Sequence, residues 1–454
     1  MSQTDMARGK TKHDIEVDER AGYWELIRSN ANFRRLWVGS ATSLLGDWFN
    51  LIALATLIST ETQSPLALSA IFIAKMLPWA ISAPVAGLIV DRFNRRRLMI
   101  GADLARAVIV LGFLAAAAWE AIALIYVLIA LEMVVGSVYV PAKSASIPNI
   151  TTPRELLTAN ALSSATWSTM LALGAGLGGF ATAWLGVEAV FIIDGVTYLI
   201  AAWFVWRTAI PQDTEQGGGA LVQTAARQIV DGWTHLRRNA RIGRIVLAKA
   251  TWAVAGGGLV FMLVLIGEEV SPGAIAAGMG VLFMARGIGT GIGPVVARTV
   301  FTDQSRWPAV LGASIAFSGL CYLAVSFAPW TGGLASVLLL IVLVATAHAA
   351  SGANFVLATV LLQKRTEDRY RGRVFATEWL LIMLAETGSI LVAGLLLEFS
   401  LLSLPVAVTV FALVQATCGL LWLLVIVPRE RRSQAEQGDD AAPEPAPPEV
   451  TERR

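Results

Sequence analysis

Two things are scarce in this chain: cysteine and charge. The only cysteines among 454 residues, Cys321 and Cys418, sit inside apolar runs, which argues against a disulfide framework. Charged residues make up 15% of the chain and hydrophobic ones 56%, with a mean hydropathy of +0.63. An ordinary soluble domain is about a quarter charged, so a soluble globular fold is excluded. Histidine is rare too. His348 stands alone in an apolar run and His13 and His235 fall in polar segments, so no metal cluster can be assembled from them. There is no phosphate-binding GxxxxGK(S/T) loop, no nucleophile elbow and no room for a soluble catalytic domain, so neither an enzyme nor a cofactor is expected. Residues 1–30 lack the apolar core of a cleavable signal, and the first apolar stretch is expected to act as an uncleaved anchor.

What is present is length of apolar sequence. Twelve stretches, roughly 36–60, 66–90, 98–118, 121–141, 157–185, 187–207, 244–268, 273–300, 307–328, 332–361, 374–398 and 401–427, approach or exceed the ~20 residues that cross hydrocarbon. The polar segments between them alternate in charge. One set holds Arg34 and Arg35, the turn with Arg92, Arg95, Arg96 and Arg97, then Lys143 and Arg154, the long central loop, Arg298 and Arg306, and the loop from Lys364 to Arg373. The other set holds Glu61, Glu120, Glu188, Glu268, Glu269 and Glu398 and no base. Because Lys and Arg stay cytoplasmic during insertion, the expected protein is multi-pass in the cell inner (plasma) membrane with both termini cytoplasmic. The net charge of +2 therefore reflects sidedness, and no nucleic-acid partner is inferred. The expected partners are a small-molecule substrate and the lipid bilayer; the oligomeric state stays open, and nothing requires more than a monomer.

The expected fold is an all-α membrane protein of twelve transmembrane helices in two six-helix halves. Residues 1–35 form a cytoplasmic segment with a surface helix around Tyr23, Trp24, Leu26 and Ile27, and residues 36–207 the first half. The central loop, 208–243, opens with Pro211 and Gly217–Gly219 and continues into an amphipathic helix. Leu221, Ala225, Ile229 and Trp233 give that helix an apolar face, with Arg227, Arg237 and Arg238 toward headgroups. The second half is 244–427, and the Glu-, Pro- and Ala-rich tail, 428–454, is expected to be disordered. GLIVDR at 87–92 matches GPVVAR at 293–298 at the same point of each half, which reads as a duplication. The glycine runs at 174–179 and 287–293 have no soluble strand before them and are read as sites of close helix packing.

Charges deep in the apolar stretches carry the functional signal. At ~1.5 Å per residue, Asp47, Glu132, Arg286, His348 and Glu386 fall near the membrane midplane. An ionised group there costs at least ~2.5 kcal/mol, so each is expected to meet water, a partner or the bundle interior. Asp103 and Arg106, three apart on one helix, are expected to pair. Lone His348 reads as a hydrogen-bonded interior histidine or as a cavity residue. Trp48, Phe49, Trp167, Trp252 and Phe355 offer aromatic walls for a substrate, with plain packing as the alternative.

The segment Gly87-Leu-Ile-Val-Asp91-Arg92-Phe-Asn-Arg95-Arg96-Arg97 resembles the loop signature between helices 2 and 3 of the major facilitator superfamily. LGDWFN at 45–50, ADLARA at 102–107, VYVPAKSASIP at 138–148, TANAL at 158–162, FIIDGVTYLIAA at 191–202 and RGRVF at 371–375 resemble its branch of macrolide efflux proteins and the enterobactin exporter, often grouped as drug:proton antiporters. The helix-5 antiporter signature ends here Gly174-Ala175-Gly176-Leu177-Gly178-Gly179, with Ala in the usual place of Pro, and helix 4 carries Glu132 where many drug antiporters carry Arg.

The resemblance implies export of amphipathic or hydrophobic drug-like compounds, multidrug resistance being the associated role. Two halves rock about a midplane site, and a proton gradient drives them. Helices 1, 4, 7 and 10 of such a fold surround the cavity, which makes Asp47 and Glu132 the proton-coupling candidates. The alternatives are that Asp47 packs near Gly46 and that Glu132 pairs with Arg286 or Lys75. Trp48, Phe49, Trp252, Arg286, His348, Phe355 and Glu386 are the cavity candidates. Gly87, Asp91, Arg92, Arg95 and Arg96 would latch the outward-facing state against partners such as Asp103, Arg106 and Glu378, or the arginines would only anchor topology. The other functional readings are a dedicated exporter of a secreted metabolite such as a siderophore, and a non-transporting sensor or partner subunit.

Overall fold

The computed structural model describes residues 21–212, 221–271, 274–331 and 333–440. Among the described residues twelve helices are long and apolar enough to cross a membrane. In chain order, spans 1 to 6 are Ala31–Thr62, Pro65–Arg92, Arg95–Ala118, Ile122–Ile150, Pro153–Leu185 and Val187–Trp206. Spans 7 to 12 are Ala240–Val270, Ile275–Val300, Trp307–Phe327, Leu334–Arg365, Asp368–Glu398 and Leu404–Leu421. A helix satisfies its own backbone, so apolar segments of this length fold this way in lipid. Short polar turns restart the chain: the side chains of Asn30, Ser64 and Asn94 accept from the N–H groups of Phe33, Ala67 and Arg97, and Pro65 and Pro153 occupy first helical turns. Val108, Trp184, Phe327 and Leu424 lie exposed around the bundle, as lipid-facing side chains do.

In the first half, span 6 packs on spans 1 and 3, span 1 on span 5, and span 4 on spans 2 and 3. In the second, span 7 packs on span 11, span 8 on span 10, and span 9 on spans 10 and 12. The halves meet along two main seams, span 5 with span 8 and span 2 with span 11. Glycine makes the first seam possible: a Cβ on Gly179 would stand 2.5 Å from the Ala276 carbonyl oxygen, and one on Gly287 would stand 2.4 Å from the Ala172 nitrogen. Side chains at these positions would force the two backbones apart. The duplicated glycines differ. A Cβ on Gly293 would lie 2.2 Å from the Ala349 carbonyl oxygen, whereas one on Gly87 would meet nothing within 4 Å.

The helix Tyr23–Ser29 is present, with Leu26 buried and Tyr23 and Trp24 exposed. The helix Leu221–Arg238 rests on spans 2 and 11. Gly232, where a Cβ would lie 2.6 Å from the Arg373 carbonyl oxygen, and buried Leu236 face the bundle, while Trp233 is 46% exposed. The Leu221 and Ala225 side chains, Gly217–Gly219 and His13 lie outside the described residues.

The tail also departs from expectation. Val427–Asp440 is helical, not disordered, because Glu430 is held at its start by Arg244 at 2.5 Å and Arg365 at 2.8 Å. Residues 441–454 lie outside the described residues.

Candidate transport site

Spans 1 and 6 cross closely at Gly46, where a Cβ would stand 2.2 Å from both Asp194 Oδ1 and Thr197 Oγ1. Asp194 and Thr197 of span 6 thus pack against this glycine. One helical turn sets Asp47 and Asn50 on a shared face of span 1, and Asp194 and Tyr198 on a shared face of span 6. The Tyr198 hydroxyl lies within hydrogen-bond reach of Asp47 Oδ1, and 2.8 Å from Glu132 Oε1 on span 4. Fully buried Asp194 accepts from Asn50 Nδ2 at 2.7 Å. Lys75 Nζ stands 4.0 Å from Glu132 Oε2. Of the two cations considered for Glu132, Lys75 is therefore its neighbour.

The expected pair of Asp103 and Arg106 is formed at 2.5 Å, and the Arg106 guanidinium lies over the rings of Tyr198 at 4.3 Å and Tyr139 at 5.0 Å. Each acid brings its own hydrogen-bond or charge partner into the interior, which is how ionisable groups persist there. Tyr198 and Asp194 were not singled out as site residues from the sequence. An acid and a tyrosine one turn apart in an otherwise apolar run were the available signal.

The second half holds its own charges. Lys249 on span 7 pairs with Glu378 at 3.0 Å, donates to Thr359 Oγ1 at 2.7 Å and lies 5.5 Å from the Phe355 ring centre. Buried Glu378 is thus held by span 7 while the arginine-rich end stands open. His348 Nε2 and the Tyr322 hydroxyl are 2.8 Å apart, an interior hydrogen bond. Arg286 and Glu386 lie within Coulombic reach of each other, and the Arg286 Nε is buried without a hydrogen-bond partner.

The aromatic candidates divide. Phe49 and Trp252 are buried and pack within the core, Phe49 behind Gly178 and Trp252 edge-on to half-buried Phe355 at 5.4 Å. Trp48 and Trp167 form an edge-to-face pair at 6.1 Å, with Trp167 41% exposed. Among the described residues no group of three or more His, Cys, Asp or Glu could hold a metal ion.

The two ends of the bundle are unequal. At the end bearing the acidic loops, the Ser64 hydroxyl donates to Glu398 at 2.6 Å and the Ser59 hydroxyl donates to Glu268 at 2.5 Å, tying the halves together. At the arginine-rich end a cavity of about 1420 Å³ opens between spans 5, 8 and 10, with Ser164, Ser168, Leu173, Ile292, Val295 and Arg298 in its wall. The latch residues are not engaged across the halves. Asp91 is exposed and makes no bond among the described residues, Arg95 donates to the Ala145 carbonyl at 2.9 Å, and Arg96 donates to the carbonyls of Val205 and Trp206. Arg95 and Arg96 thus bind helix ends within their own half, and Asp103 and Arg106 bind each other, leaving the expected latch contacts unmade.

Twelve spans in two packed halves, shut at one end, open at the other and carrying buried charge in each half, define a polytopic membrane protein of transporter architecture. The chain belongs to the Major Facilitator Superfamily, whose profile matches residues 36–376. It is 27% identical over 218 residues to the uncharacterized MFS-type transporter YfiS of Bacillus subtilis (strain 168), a match covering 47% of this chain and 51%, about half, of that relative. It is 23% identical over 371 residues to macrolide efflux protein A of Streptococcus pyogenes, covering 81% of this chain and 88% of that protein. The crystal structure of the nucleoside transporter NupG superposes with a TM-score of 0.67 over 86% of this chain and 98% of that one, a likeness in fold at 11% identity.

Proposed function

We propose that the protein exports small amphipathic or hydrophobic compounds from the cell by proton antiport, with the arginine-rich end and both termini in the cytoplasm. The observation that carries this reading is the pair of first-half carboxyls, Asp47 and Glu132, bonded to one Tyr198 hydroxyl near the middle of the bundle. The relatedness to a macrolide efflux protein supports export. The cavity between spans 5, 8 and 10 supports the substrate class, because its walls combine Leu173, Ile292 and Val295 with a few hydroxyls and Arg298 at the mouth.

Substrate enters while the acid-bearing end is shut. Rocking of the halves then exposes the carboxyls to the other side, where protons load and substrate leaves. A carboxyl in a low-dielectric interior exchanges its proton between two aqueous sides only if the conformation changes its access, and that requirement ties flux to the gradient. The test is efflux of ethidium and of a macrolide from vesicles with an imposed pH gradient. Native protein is expected to show gradient-driven efflux, with Asp47→Asn and Glu132→Gln each reducing it by about tenfold or more. Full efflux in both variants would exclude the coupling role. Movement of a single compound class would mark a dedicated exporter, and no flux at all a non-transporting protein.

A further inference from the structure

We infer that Asp47, Tyr198 and Glu132 form one proton-sharing unit, in which the Tyr198 hydroxyl passes protons between half-buried Asp47 and fully buried Glu132. This rests on the reading of Asp47 and Glu132 as the coupling carboxyls, and adds the group that joins them and the number of protons they hold.

The Tyr198 oxygen is in hydrogen-bond contact with both carboxyls, but its hydroxyl has one hydrogen to donate. An ionised carboxylate donates none. With both acids ionised, one of the contacts would set lone pairs against lone pairs in the interior, an unmade bond among groups withdrawn from water. Both contacts are satisfied when a second proton sits on one carboxyl, which then donates to the phenolic oxygen while the phenol donates to the other acid.

The surrounding charges point the same way. Facing this cluster are Asp47 from span 1, Lys75 from span 2, Asp103 and Arg106 from span 3, Glu132 and Tyr139 from span 4, and Asp194 from span 6. Span 5 carries its titratable side chains, Arg154 and Glu155, at its arginine-rich end. Asp103 and Arg106 neutralise each other at 2.5 Å, and Lys75 offsets one further carboxylate from 4.0 Å. Four acids against two bases leave two carboxylates without a countercharge, and protons are the means of neutralising them.

The geometry sets a direction of access. Glu132 is 0% exposed and Asp47 is partly exposed, so Tyr198 stands between the buried acid and the one nearer water. When Glu132 carries the proton, its O–H bond and the Tyr198 O–H bond break together while new O–H bonds form on Tyr198 and Asp47. The phenol is neutral before and after, and one proton has moved from Glu132 to Asp47. The Arg106 guanidinium over the Tyr198 ring at 4.3 Å holds the ring in place for this exchange. Tyr198 is thus a relay and positioning residue.

Infrared spectroscopy of the purified full-length protein in detergent, read through the C=O stretch of protonated carboxyls across a pH titration, tests the unit without any substrate. The native protein is expected to show a carboxyl band that both Asp47→Asn and Glu132→Gln alter. Tyr198→Phe, checked for folding by size-exclusion chromatography, is expected to displace the midpoint of that band by about one pH unit or more, because removing the shared hydroxyl uncouples the two acids. A Tyr198→Phe midpoint superimposed on the native one would overturn the proposal. If Tyr198→Phe does not fold, Asp47→Asn serves: a displaced Glu132 midpoint supports the unit and an unmoved one overturns it. Absence of pH-gradient-driven efflux from vesicles holding the native protein would instead remove the transport reading while leaving this titration interpretable.

Discussion

Glu398, at the end of span 11, accepts a 2.6 Å hydrogen bond from the hydroxyl of Ser64, which caps the start of span 2 in the other half. The same carboxylate accepts from the Leu66 backbone N–H at 3.1 Å, so one acid caps a helix across the seam. A bond of this kind between partly exposed groups contributes about 1 kcal/mol, a factor of about 5 in the balance of open and shut states. Glu398→Ala removes both bonds and is therefore expected to raise the ratio of open to shut molecules at this end by at least about fivefold. Distances between spin labels on spans 2 and 11 measure it.

Gly179→Val places a side chain where the Gly280 Cα would be 2.9 Å from its first carbon and the Ala276 oxygen 2.5 Å. Neither neighbour is a flexible side chain, so spans 5 and 8 must separate. The expected outcome is a shut state lost at the acid-bearing end and efflux reduced at least about tenfold with near-normal membrane insertion, measured by transport in vesicles against protein quantity.

Lys249 and Glu378 form a pair that is 3% and 0% exposed. Lys249→Met leaves a buried carboxylate without its cation and is expected to cost about 3–5 kcal/mol. The double variant Lys249→Met with Glu378→Gln is expected to recover most of that loss, since both charges leave together. Thermal unfolding in detergent, followed by tryptophan fluorescence, reads both values.

Asp91 is exposed and unbonded among the described residues while the cavity at its end is open. A latch that forms only when that end closes would look like this in its released state. Asp91→Asn is expected to lower efflux severalfold with no loss of inserted protein. Native efflux from a fully inserted variant would assign the arginine turn to topology alone.

The spans themselves were legible because lipid solvation acts on each segment separately: an apolar run of sufficient length has to be a helix wherever its neighbours lie. The tail shows where such local reasoning ends. The residues from Pro428 onward look disordered by composition, yet Glu430 finds Arg244 and Arg365, more than sixty positions away, and the chain stays helical to Asp440. The central helix gives a similar lesson on a smaller scale: its contact with span 11 at Gly232 depends on a residue more than a hundred positions away.

Sequence alone determined the number of crossings, the two-half organisation, the pairing of Asp103 with Arg106 three residues on, and the presence of costly charge at Asp47 and Glu132. The partners of those charges were decided only by the tertiary structure. Tyr198 lies 151 residues from Asp47 and 66 from Glu132, and Lys249 lies 129 before Glu378. A buried charge has to be compensated, and the sequence shows the need, but which side chain answers it depends on how helices far apart in the chain cross.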